Sequence, residues 1–294
     1  MEIRINEKTL DIKLEKENTV GDVLAGLEQW LSACGHRISE LKIDGSSVKS
    51  SMIEDIFSND IKSIQLIDVI TSSIAELTAA SLINLLEDID EYENLDYEKK
   101  SKFFDEWKDS STALFLSAEL QDLYAFCVVT FSSGSMDTKT LTSITEEIQR
   151  EVNDPVNEIT KIEAILKDIC DKLIELPLDI QTGKDAKAAN TIQVFTAVTE
   201  KIIRIFRQLC IQGYISPESL SADDEPLSEL IIKFSKILKE LLEAYEKNDT
   251  VLVGDLTEYE ASPMLKEIYI AILENIAKQA ESKKNDKTPA RDKL

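Results

Sequence analysis

The sequence predicts an α+β protein, with a small strand-rich unit over residues 1–70 followed by a predominantly all-α helical-bundle domain over residues 71–280. Three observations predict it. Apolar and polar residues alternate at period two near the N-terminus and again around residue 65, and from Thr71 onward the apolar residues step by three and four. Only 8 Gly and 6 Pro occur among 294 residues, so helices should be long and loops few. The stretch from Pro226 to Ala280 carries two apolar stripes, Leu227 to Tyr245 and Leu265 to Ala280, each confined to one side of a helix. Burying either stripe is worth roughly 10–25 kcal/mol before entropy, far more than surface charge pairs of about 0.3–0.5 kcal/mol each. Both stripes therefore require helical partners from the rest of the chain.

In order, Ile3 and Ile5 alternate with Glu2, Arg4 and Asn6 as a first strand, and Leu10, Ile12 and Leu14 mark a second over residues 9–15. Asn6-Glu7-Lys8 between them suits a tight hairpin. Thr19 reads as an N-cap with Asp22 in the capping-box position, opening a helix whose apolar face is Val20, Val23, Leu24, Leu27, Trp30 and Leu31. Gly35 stands where a helix-ending glycine belongs. Leu41-Lys42-Ile43 leads into the turn Asp44-Gly45, and a last strand spans residues 63–70. The order strand, strand, helix, strand, strand resembles the β-grasp, or ubiquitin-like, arrangement over a quarter of the chain. Small sulfur-carrier members of that class act through a free C-terminal Gly-Gly. This unit has none, because residue 70 leads straight into a helix. The resemblance then implies a small binding or docking module.

The helical domain begins with Ile74 to Ile89 and an acidic run, Glu87 to Glu93. Asp96 should cap a short helix carrying Phe103, Phe104 and Trp107, and Ser110 or Ser111 should open another that ends at Gly134. Asp137 or Thr138 opens the next. Asp154-Pro155 supplies an N-cap and a first-turn proline for a helix reaching Leu176-Pro177. A connector at 181–185 precedes a long helix stopped by Gly213. Two sub-bundles, about 71–152 and 153–280, fit this layout, and residues 281–294 lack apolar periodicity, as a disordered tail would.

Composition excludes more functions than it suggests. Lys plus Arg number 33 against 56 Asp plus Glu, a net charge of −23. A surface that acidic repels phosphate backbones and anionic lipid, which argues against nucleic-acid partners. The longest uncharged run, Leu123 to Met136, is too short to span a bilayer, so no membrane insertion is expected. No secretory signal opens the chain, and the four dispersed cysteines read as free thiols of a reducing cytoplasm. The single histidine, His36, excludes His-rich zinc sites. No phosphate-binding glycine loop, nucleophile elbow or cysteine cluster occurs, so no cofactor, metal or catalytic residue is expected.

One constellation stands out: Asp255, Glu258, Tyr259 and Glu260, which share a face if their segment is helical. It reads either as a site for a cation or a basic partner, or as a solvated acidic surface over inward-packed Val251, Leu252, Val253, Leu256 and Tyr259. Asp249 should cap this segment, and Gly254 should mark the close approach of another backbone. The expected function is that of a non-catalytic cytoplasmic adaptor or scaffold acting through a protein partner. The alternative is a small-ligand-binding protein or enzyme with a carboxylate- and Tyr-lined pocket between helices.

Overall fold

A computed structural model describes residues 1–11, 17–48, 56–133 and 138–285. The chain is mostly helical, with a small N-terminal mixed sheet of five strands. It forms two compact units, Met1–Thr145 and Glu146–Leu294.

In the first unit the sheet comprises β1 (Glu2–Ile5), β2 (Lys8–Thr9), β3 (His36–Ile43), β4 (Ser46–Ser47) and β5 (Leu66–Ser73), in the order β2-β1-β5-β3-β4. β1 and β5 are parallel, with Ile3 opposite Ile67; β3 runs antiparallel to β5, with Leu41 opposite Val69. The two hairpins turn on left-handed residues, Asn6-Glu7 and Asp44-Gly45, the conformation that matches strand twist across a two-residue turn. Period two places Ile3, Ile67 and Val69 on one face. There they bury against Val20, Val23, Leu24, Leu27 and Leu31 of α1 (Val20–Ala33). The Thr19–Asp22 capping box forms in full, and Gly35 follows the helix at φ +74°.

Two strand boundaries differ from expectation. β2 holds only Lys8 and Thr9, and Ile12 and Leu14 of the expected second strand lie outside the described residues. The last strand is shifted three residues, to Leu66–Ser73, because Ile61–Ser63 forms a 3₁₀ turn capped by Asp60. At the far end Ser73 and Glu76 form a second capping box that fixes where α2 (Ile74–Asn94) begins. Strand pairing therefore continues through Ser73, opposite His36.

The helices of this unit continue with α3 (Tyr97–Trp107), capped by Asp96, and α4 (Ser111–Glu119), capped by Ser110. α5 (Gln121–Ser133) is separate, because Leu120 leaves helical geometry. The expected ends at Gly134 and Asp137 lie outside the described residues. Tyr92, near the end of the acidic run, is buried with Phe131 and Trp107 and packs its ring on the half-buried Phe103, and the Trp107 indole N–H donates to Asp88 at 2.9 Å. Burial pushes the Asp88 carboxyl upward, against that hydrogen bond. Part of the acidic run is thus core structure.

α6 (Thr138–Asn153) carries the chain into the second unit. There follow α7 (Pro155–Thr160), α8 (Glu163–Gln181), α9 (Asp185–Ile211), α10 (Leu227–Glu246), α11 (Thr250–Asp255), a π-helical turn (Leu256–Ala261) and α12 (Ser262–Asn285). Most of the two stripes of the C-terminal pair lies in one core with Leu166, Ile169 and Leu173 of α8 and Phe195, Ile202 and Leu209 of α9, whereas Leu242, Ala277 and Ala280, expected in the stripes, are exposed. α8 does not stop at Pro177 but runs through it to Gln181. α12 extends to Asn285, beyond the last apolar residue of its stripe. No helix among the described residues is long and apolar enough to cross a membrane.

Candidate functional site

Asp249 caps α11 by accepting from the Leu252 N–H, and Thr250 begins the helix. The chain then widens into the π turn, where the Ser262 N–H reaches back five residues to the Thr257 carbonyl. Pro263 accounts for the widening. It has no N–H to donate, and in an α-helix its ring would strike the carbonyl of Tyr259. The extra residue per turn resets which side chains face the core.

The inward-packing expectation holds for Val253 and Leu256, which are buried, and fails for Val251, Leu252 and Tyr259, which are exposed. A straight helix stacks residue 259 below 252 and 256. The π turn instead places Thr257 and Ala261 in the core and rotates Tyr259 out. Thr257 is held there by its hydroxyl, which donates to the Val253 and Gly254 carbonyls.

Gly254 meets a close approach, but of a side chain and not of a backbone. A Cβ at 254 would lie 3.2 Å from Cγ of Pro177. One turn away, Gln181 Nε2 donates to Thr250 Oγ1 at 3.3 Å. The rungs Pro177–Gly254 and Gln181–Thr250 make α8 and α11 antiparallel neighbours. At 100° per residue, Ile174 and Leu178 fall on one side of this contact line, and Val251 and Asp255 fall on the same side of α11. Tyr259 joins them: the charge of Glu258, its hydrogen bond to the phenol and the nearby Asp255 hold the Tyr259 hydroxyl above its ordinary pKa.

The result is one face with exposed apolar side chains from two helices: Ile174 at 51%, Leu178 at 58%, Val251 at 69% and Tyr259 at 68%. Asp255 falls on it, Glu258 hydrogen-bonds the Tyr259 phenol, and no Lys or Arg occurs from Asn248 to Leu265. All four residues singled out from sequence, Asp255, Glu258, Tyr259 and Glu260, are exposed here. Sequence reasoning missed Ile174 and Leu178. Ile174 was assigned to the apolar stripe of α8, and Leu178 lay past the end expected for that helix near Pro177.

A second cluster lies at α6, α7 and α9. The Arg204 guanidinium grips Glu151 with two hydrogen bonds of 3.0 and 2.9 Å, and Lys201 reaches Glu147 at 2.9 Å and Glu158 at 3.8 Å. Burial pushes the Glu151 carboxyl up, opposed by Arg204. Three acids matched by cations on one helix make a structural clamp, each charge having a partner.

A third feature is a cleft of about 430 Å³ between the loop after α9 and the C-terminal half of α12. Tyr214, Ser216, Ser219, Asn275, Lys278 and Gln279 line it, and its lining holds no carboxylate among the described residues. Elsewhere the chemistry is sparse. The described residues contain no group of three His, Cys, Asp or Glu placed to hold a metal ion. All four cysteines are free, and burial pushes the thiols of Cys127 and Cys210 up to about 12 and about 11, far from a reactive thiolate. His36 opens β3, with Nδ1 3.0 Å from the Cys34 carbonyl.

Compared with known proteins, residues 1–73 match the TP0873 N-terminal domain family, and residues 139–271 match a domain of unknown function (DUF8042). The chain is similar to an uncharacterized protein of Treponema pallidum (strain Nichols), with 21% identity over 273 residues. The match covers 93% of this chain and 96% of that one. No solved structure matches. The apolar, acid-bordered face lies entirely within the second matched segment.

Proposed function

We propose that the chain is a non-catalytic cytoplasmic adaptor or scaffold, and that the α8–α11 face holds a protein partner carrying apolar anchors and basic residues. One observation carries this reading: Ile174 and Leu178 of α8 and Val251 and Tyr259 of the segment after Asp249 lie on one side of the α8–α11 contact, each more than half exposed, and that segment carries acids but no Lys or Arg from Asn248 to Leu265. Scattered exposed apolar residues need no explanation, but a contiguous group bordered by one sign of charge is the usual form of an interaction surface. The N-terminal unit enters the proposal as a β-grasp-like docking module, a reading supported by the parallel β1–β5 pair and the single helix on one sheet face. Four free cysteines, with the thiols of Cys127 and Cys210 pushed up by burial, fit a reducing compartment.

For the alternative, a small-ligand binder or enzyme with a carboxylate- and Tyr-lined pocket, the described residues offer the cleft at Tyr214. That cleft offers Lys278 where the alternative called for acids.

Capture from native lysate with the full chain and with Ile174→Ser/Val251→Ser/Tyr259→Ser tests the proposal. A basic partner should be retained by the wild type and by an Ile83→Ser control, and lost by the triple variant. Retention by all three, or by none, would refute it.

A further inference from the structure

The cleft at the end of α9 has a chemistry that the docking face does not use. Asn275 commits its amide N–H groups to the Leu220 and Ala271 carbonyls, at 2.9 and 2.8 Å, so its Oδ1 remains to accept. Gln279 Nε2 donates to the Gly213 carbonyl at 3.0 Å, which leaves Oε1 in the same role. The hydroxyls of Ser216 and Ser219 each accept a backbone N–H, from Glu218 and Ser216 respectively, and keep their own O–H to donate. Lys278 stands 3.8 Å from Glu274, beyond hydrogen-bond distance, with donors to spare. The serine hydroxyls of the loop and Lys278 thus offer donors, and Asn275 and Gln279 of α12 offer acceptors, beside Tyr214 in a volume within the ordinary range for small-molecule sites.

A group that both donates and accepts at each contact, as a hydroxyl does, is what such a wall pairs with. The net charge of −23 opposes anions at long range, and Glu274 offsets the Lys278 charge locally. We propose that this cleft binds a neutral, hydroxyl-rich ligand of monosaccharide size. Its hydroxyls bridge Asn275 and Gln279 to Ser216, Ser219 and Lys278, and an apolar face lies toward Tyr214. This proposal does not depend on the adaptor reading.

Saturation-transfer NMR on the full chain tests it, with glucose, galactose, mannose and N-acetylglucosamine as probes and glucose 6-phosphate as the charged comparison. At least one neutral sugar should bind saturably, with affinity reduced about tenfold in Lys278→Met and in Asn275→Ala, roughly the loss expected for one hydrogen bond to a charged or buried group. Lys278→Met decides the matter if Asn275→Ala disturbs the Leu220 loop. Three results would each overturn the proposal: no saturable signal from any neutral sugar, unchanged affinity in Lys278→Met, or tighter binding of the phosphate than of glucose.

Discussion

Gly254 is small because Pro177 occupies the space a larger residue would need. A Cβ there already stands at 3.2 Å from the proline ring, tighter than ordinary contact, so Gly254→Leu should destabilise by about 1–3 kcal/mol. Pro177→Ala in the same chain should recover part of that loss, which denaturant midpoints of the two single variants and the double variant will measure. A wild-type midpoint for Gly254→Leu would mean that the two helices do not meet at this point. Glu151 is only 1% exposed and depends on Arg204 for its bidentate partner. Arg204→Met should therefore cost about 2–3 kcal/mol, somewhat below the range for breaking a fully buried pair, because Lys201 remains within 3.9 Å. The capping carboxylates add an acid dependence. Backbone and side-chain hydrogen bonds hold Asp22 and Glu76 below their ordinary values of 3.8 and 4.5. A lowered folded-state pKa gives stability that is present above the ordinary value and is lost as pH falls through the folded one. Acid unfolding curves should accordingly be shallower for Asp22→Asn and Glu76→Gln below about pH 4. The first cap was read from its Thr-x-x-Asp pattern; the Ser-x-x-Glu pattern of the second stood in the sequence but was passed over when the boundary was placed at residue 70. The Gly254 contact was legible only as a glycine in need of a reason, since nothing in a linear sequence pairs residue 254 with residue 177.

Elements were legible wherever one period governed a segment, and misplaced wherever two local rules competed. The 3.6 period of α10 and α12 and the Asp-Pro start of α7 follow directly from residue spacing. Proline, by contrast, ended α8 four residues too early in the sequence reading. In the fold Pro177 stays inside the helix and packs its ring on Gly254. Pro263 produced the opposite surprise: it widens the turn before it, and that shift of register decides that Tyr259 faces outward. The β5–α2 junction also has a consequence for proteolysis. Residue 70 had looked like a boundary, but pairing continues to Ser73 and the capping box follows at once. Among the described segments of the first unit, limited proteolysis should cut at Asn94–Asp96, between α2 and α3, before it cuts residues 20–33 or 66–73. Early cleavage inside either of those spans, mapped by mass spectrometry, would show that residues 1–73 are not a cooperative unit.

For the whole chain, an excess of 23 negative charges sets long-range behaviour, and under the proposed function the apolar face of α8 and α11 is where a partner settles. Net charge and the absence of His/Cys clusters were readable at once, because composition needs no fold. The face was not: Ile174, Leu178, Val251 and Tyr259 are spread over 86 positions of sequence and meet only because α8 and α11 run antiparallel. If charge steers the encounter, association with a basic partner should slow as salt rises, while dissociation follows the apolar anchors. The most direct test of the docking face is a photoreactive amino acid at Val251 in the full chain, with the same group at Ile83 as a control. Irradiation in native lysate should give a single discrete adduct with a basic protein from position 251, abolished by Leu178→Ser and absent from position 83. Equal labelling from both positions, or none from position 251, would contradict the assignment of this face.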